Sequence, residues 1–210
     1  MRRLTSAGIP PALPGILLAA AAFFHPWLER TMMRHMAIEL PLLFAIGWLA
    51  AAAAGPRLTR ALAPWNLGGL PALLGATLVM AFWMIPAALD RAVLDAGTGL
   101  FKVASLVAAG MAAGASWRSA GLVIQAFFVF NGCWMTLAAG LMYQEVTQQL
   151  CSVYLADQQV ATGMALVGWA VAILALWLAR ALAALNLAGE AADPMPVVVH
   201  PPQHGAVQSR

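Results

Sequence analysis

Charge is scarce in this chain. Asp, Glu, Lys and Arg make up 9% of its 210 residues, where a soluble domain carries about a quarter. That is too little charge to cover a surface facing water. Cysteine is nearly absent too. Cys133 and Cys151 are the two thiols and no CxxC pair exists, which excludes a disulfide framework or a thiolate metal knuckle. In the span assignment below they differ in depth by roughly half a membrane, beyond the ~7 Å between Cα atoms that a bridge tolerates. Short alternating segments are missing, which removes an outer-membrane β-barrel. No internal repeat of about 20–50 residues occurs. No nucleophile, base and oxyanion donor stand together, so no enzymatic activity is expected. The net charge of +3 comes from arginines beside apolar runs, which suit anionic headgroups rather than nucleic acid.

Apolar residues are what the chain has in excess, at 62%. They fall in runs long enough to cross about 30 Å of hydrocarbon at about 1.5 Å per residue. The reading is all-α, a polytopic transmembrane helical bundle of about six spans at 9–27, 35–55, 68–89, 98–116, 120–143 and 160–182. Pro26, Gly55-Pro56, Pro64, Gly68-Gly69, Asp95 and Trp117-Arg118 punctuate the boundaries. The transmembrane domain is 1–188. Residues 189–210, rich in Gly, Pro, His, Gln and Ser, have nothing to bury and read as a disordered cytoplasmic tail. Arg2-Arg3 ahead of the first run also fits a signal peptide. Pro10, Pro11 and Pro14, with an end in Phe-Phe-His-Pro-Trp, favour a retained helix.

Lys and Arg counts in short loops set the orientation. With the N-terminus inside, Arg2, Arg3, Arg57, Arg60, Arg118 and Arg180 are cytoplasmic, while Arg30, Arg34, Arg91 and Lys102 are not. Glu29, Glu39, Asp90, Asp95, Glu145 and Asp157 all fall outside. The expectation is N-in and C-in, multi-pass in a bacterial inner (plasma) membrane.

Chemistry-bearing residues gather at the outer end: His25, then Met32, His35, Met36 and Glu39, then Met84, Lys102, Asp157, Gln158 and Gln159. Met32, His35, Met36 and Glu39 stand at i, i+3, i+4 and i+7, one face of a helix. Thioether and imidazole suit Cu(I), although methionine is also an ordinary apolar filler. Glu39 and Lys102 are costly inside lipid; they either snorkel to the interface or pair across the second and fourth spans. Gln125 and Asn131 are expected to bond between helices. Gly110 and Gly114 form a GxxxG that implies close packing, and His200 and His204 read as solvated tail residues.

Three short stretches resemble one family. Phe82-Trp83-Met84-Ile85-Pro86-Ala87-Ala88-Leu89-Asp90, Arg34-His35-Met36 followed by Pro41-Leu42-Leu43 and Gly47, and Asp157-Gln158-Gln159 followed by Gly163 and Trp169 are similar, in order and spacing, to segments of the CtaG-type cytochrome c oxidase assembly factors. The resemblance spans about 31–170. It implies a copper chaperone at the periplasmic face that takes up Cu(I) on His35, Met32, Met36 and Met84 and hands it to a haem-copper oxidase subunit, with membrane lipid as surroundings. Departures fall on the ligands. Thr31 stands for the earlier of two histidines, Met84 for the histidine after Trp83, and Phe101-Lys102 for a glutamate-histidine pair. Either a sulfur-rich set handles copper, or the metal is lost and the chain is a structural accessory subunit. Lys102, a cation beside the site, speaks for the second. A small-solute transporter is the remaining alternative; no deep paired charges or inverted repeat support it.

Overall fold

The computed structural model describes residues 9–145, 153–154 and 157–192, with side chains as far as Asn186. Arg2, Arg3, Cys151, His200, His204 and the tail beyond Ala192 lie outside the described residues.

Prolines decide where the helices begin and break. α1 runs Ala12–Phe23 behind Pro11, and α2, His25–Leu28, carries Pro26 in its first turn. At 12 residues α1 is about 18 Å long, short of the ~30 Å of hydrocarbon. The expected full span at 9–27 is therefore a short helix with a break at Phe24 before α2. Arg34–Glu39 is a wide π-turn that continues into α3, Leu40–Ala54. After Gly55 the chain enters α4, Pro56–Leu62. It then turns through single 3-10 turns into α5, Leu70–Trp83, the two limbs meeting at 94°. Pro86 holds Ile85 extended and opens α6, Pro86–Leu94. α7 is Ala96–Ser116, α8 Leu122–Glu145 and α9 Asp157–Ala192.

No strand occurs among the described residues, and the fold is a helical bundle. Four helices are long and apolar enough to cross a membrane, Arg34–Ala54, Ala96–Ser116, Leu122–Glu145 and Asp157–Asn186, and the bent pair makes a fifth. That is fewer than the six expected, because the first run is a 12-residue helix and the third counts only together with α4 across the bend at Asn66.

Two groups of helices form. α3 and α7 run parallel, and their backbones nearly touch. A Cβ on Gly47 would strike the Val107 carbonyl, and one on Gly110 the Phe44 carbonyl. α8 and α9 form an antiparallel hairpin in which Gly140 and Gly163 face each other's backbone. The expected closeness at Gly110 and Gly114 is present, with Gly47 as its unforeseen counterpart. Gln125 Nε2 donates to the Trp117 carbonyl at 2.8 Å. Asn131, expected to reach another helix, instead meets Met135 Sδ of its own helix at 3.5 Å. Between α8–α9 and α3, α5 lies an apolar cavity of about 500 Å³.

The helix directions gather Glu29, Glu39, Asp90, Asp95 and Lys102 at one end of the bundle, where α7 begins and α5 ends. Arg57, Arg60, Arg118 and Arg180 collect at the other. We call these the acidic and basic ends. At the acidic end Asp95 caps α7, its Oδ2 accepting from the Thr98 amide and hydroxyl, both at 2.7 Å.

Candidate functional site

The acidic end holds an ion-pair cluster closed off from solvent. Lys102, early in α7, and His35, in the π-turn, are 0% exposed, and Glu39 is 2% exposed. The Lys102 ammonium donates to Glu29 Oε1 at 2.7 Å, to Glu39 Oε1 at 2.8 Å and to His35 Nε2 at 3.3 Å. An ammonium has three N–H donors, and each has an acceptor. Of the two readings for Glu39 and Lys102, the geometry is the cross-helix pair.

A second chain of bonds assigns the imidazole. The Tyr154 hydroxyl donates to the Glu29 carbonyl at 2.9 Å, so its oxygen accepts from His35 Nδ1 at 2.7 Å. That puts the His35 proton on Nδ1 and leaves Nε2 as the acceptor for Lys102, an assignment made from the bonding pattern. Both ring nitrogens are engaged.

His25, at the rim and 40% exposed in its side chain, stands between the carboxylates. Its Nε2 is 3.3 Å from Glu29 Oε2 and its Nδ1 is 3.5 Å from Glu39 Oε1. Glu39 Oε2 is buried without a hydrogen-bond partner among the described residues; His35 Nε2 lies 3.9 Å from it. With neutral imidazoles, two carboxylates against one ammonium leave one formal negative charge.

Local sequence explains how these side chains are presented. Pro41 lacks the N–H that the Ala37 carbonyl, four residues earlier, would receive in an α-helix, and its ring crowds that carbonyl. The backbone widens into the π-turn just upstream. Trp169 Nε1 of α9 then donates to the Ala37 carbonyl at 2.8 Å. At the other end of this segment Thr31 Oγ1 accepts from the Arg34 amide at 3.3 Å, as an N-cap does. Gln158 Oε1 accepts from the Met32 amide at 3.0 Å. Helix α9 thus grips the π-turn segment at Met32 and at Ala37.

The sequence-derived candidates divide. His25, His35, Glu39 and Lys102 come together. Gln158 acts on the backbone of the same segment, Gln159 is buried close behind it, and Asp157 is exposed at the start of α9. Met32 and Met36 are core residues, and Met36 and Met84 line the apolar cavity, which neither His35 nor Glu39 lines. The four proposed copper ligands therefore do not present a shared set of free donors: His35 has no free ring nitrogen, and an ammonium stands against it. This arrangement weighs against Cu(I) on His35. Among the described residues one nitrogen- and oxygen-based triad occurs, His25, Glu29 and Glu39, with ligand atoms within 4.8 Å of one another. Such donors suit harder divalent ions than Cu(I), and Lys102 already serves its carboxylates.

Two contributors had no assigned role from sequence. Glu29 follows His25 by four residues, a spacing that could have flagged it. Tyr154 carries no such signal. Searches against family models, curated proteins and solved structures find no match to this chain. The fold and the site define a helical membrane protein with a buried ion-pair network at one end of its bundle.

Proposed function

We propose that this chain is a non-enzymatic accessory protein of the membrane, a scaffold for a larger membrane complex, working without a metal at its outer-end cluster. The observation that carries this reading is Lys102. Its ammonium lies where a metal bound to His35 and Glu39 would sit, with all three protons on acceptors. A built-in cation of this kind neutralises carboxylate charge permanently, and it ties α7 to the segment 25–39 and to Tyr154. The result is a rigid rim, which suits docking better than release of an ion. The resemblance of segments 31–47, 82–90 and 157–169 to the CtaG-type factors supports a partner among haem-copper oxidase subunits, in a bacterial inner membrane with the acidic end outward.

The test is copper quantification on purified wild type and on His35→Ala combined with Met84→Leu, paired with affinity capture of the partner complex. Equal background copper is expected in both preparations once they are freed of partner subunits, with an oxidase retained by the wild type in the separate capture. Stoichiometric copper in wild type that the double variant loses would return the sulfur-and-imidazole Cu(I) relay to first place.

A further inference from the structure

The apolar cavity belongs to a different part of the molecule from the cluster, and neither His35 nor Glu39 lines it. It is about 500 Å³, within the range of small-molecule sites, and it is walled by Trp48, Trp117, Trp169 and Trp177 among other apolar groups. Its polar side chains are mostly spent internally. Thr77 and Thr136 return their hydroxyls to the Leu73 and Gly132 carbonyls, Gln125 bonds the Trp117 carbonyl, and the Trp169 indole bonds Ala37. An alkyl chain would recover the dispersion contacts that an empty apolar cavity forfeits.

One charged residue lines the cavity, Arg180, at the basic end. It makes no hydrogen bond or ion pair to another described residue. Arg57, Arg60 and Arg118 share that end, and no carboxylate from residues 9–145 does. Guanidinium groups bind phosphate in a bidentate fork, and basic residues at a membrane surface attract anionic lipids.

We infer that the cavity between α8–α9 and α3, α5 is a binding site for one anionic phospholipid, with an acyl chain against the four tryptophans and the phosphate on Arg180. The occupant is a lipid rather than a partner helix because the single charged group stands at one end of a mostly apolar space. That matches a molecule with one charged head and a long apolar tail.

Gly132 makes the inference testable. It lines the cavity, and a Cβ there would meet open space, so a side chain can be placed there without a clash at Cβ. Gly168, equally open, lies on α9 outside the cavity and serves as control. Full-length protein is reconstituted into vesicles of equal phosphatidylglycerol and phosphatidylcholine, extracted into mild detergent, and its retained lipid counted by native mass spectrometry. Wild type and Gly168→Phe are expected to hold one phosphatidylglycerol. Arg180→Gln is expected to lose about fivefold in headgroup preference while still holding a lipid, and Gly132→Phe to hold none. Should Gly132→Phe not fold, Gly132→Leu replaces it, and the Arg180→Gln headgroup ratio stands as an independent readout. Retention of lipid by a folded Gly132 variant, no headgroup preference in wild type, or crosslinking of a second copy or a partner helix into the cavity would overturn the assignment.

Discussion

Lys102 Nζ stands 2.8 Å from Glu39 Oε1, joining α7 to the π-turn with both side chains closed to solvent. A buried pair broken on one side leaves an uncompensated charge, at a cost of about 3–5 kcal/mol. Lys102→Met should therefore strip most of the bundle's stability margin. Adding Glu39→Gln to it should return part of the loss. Thermal unfolding in detergent measures both. Additive losses in the double variant would mean the two groups are not coupled in this way.

Tyr154 relays between His35 Nδ1 and the Glu29 carbonyl. Tyr154→Phe strands the buried His35 Nδ1–H, at a penalty of about 1–3 kcal/mol, and removes the donor to the part-buried Glu29 carbonyl. Nitrogen NMR of His35 should report the Nδ1–H form in wild type and a changed signal in the variant. An Nε2–H signal in wild type would contradict the proton assignment.

Where α3 crosses α7, Gly47 has no room for a side chain, since its Cβ would strike the backbone of Val107 and Met111. Overpacking against flexible neighbours costs about 1–3 kcal/mol, and backbone yields less. Gly47→Leu should lower the unfolding temperature sharply, whereas Gly75→Leu, with open space around it, should leave it near wild type. Similar temperatures for the two would show that the crossing is looser than described.

At the start of α7 the Thr98 hydroxyl, with the Thr98 amide behind it, holds the Asp95 carboxyl below its ordinary range. The folded state then binds the Asp95 proton more weakly than the unfolded chain. The cap's contribution is full above the unfolded value and disappears as pH falls through the folded one. Hydrogen exchange at the Thr98 amide should accelerate, relative to its intrinsic rate, only on that acid side. Asp95→Asn should flatten the dependence; an unchanged profile would assign it to another group.

Much of the site was readable in one dimension. Met32, His35, Met36 and Glu39 share a face by spacing alone, and all four are buried. The scarcity of charge made any carboxylate or lysine inside an apolar run worth naming, which brought in Glu39 and Lys102. Other features hid in plain sight. Pro41 frees the carbonyl of Ala37, an effect not read from the sequence, and nothing local pointed to the Trp169 indole 132 residues away as its donor. Thr31, read as a lost histidine, turned out to cap the second span.

Composition and run length alone determined that this chain is a helical membrane bundle, because apolar transfer free energy depends on which residues are present and how many stand together. Which acceptors surround Lys102, why His35 has no nitrogen to spare, and where the cavity opens were decided by tertiary structure. Those depend on the register of α3 against α7, set by glycine contacts, and on a tyrosine 119 residues from the histidine it meets. A hydrogen bond works over about 3 Å, and only packed helices bring such distant groups that close.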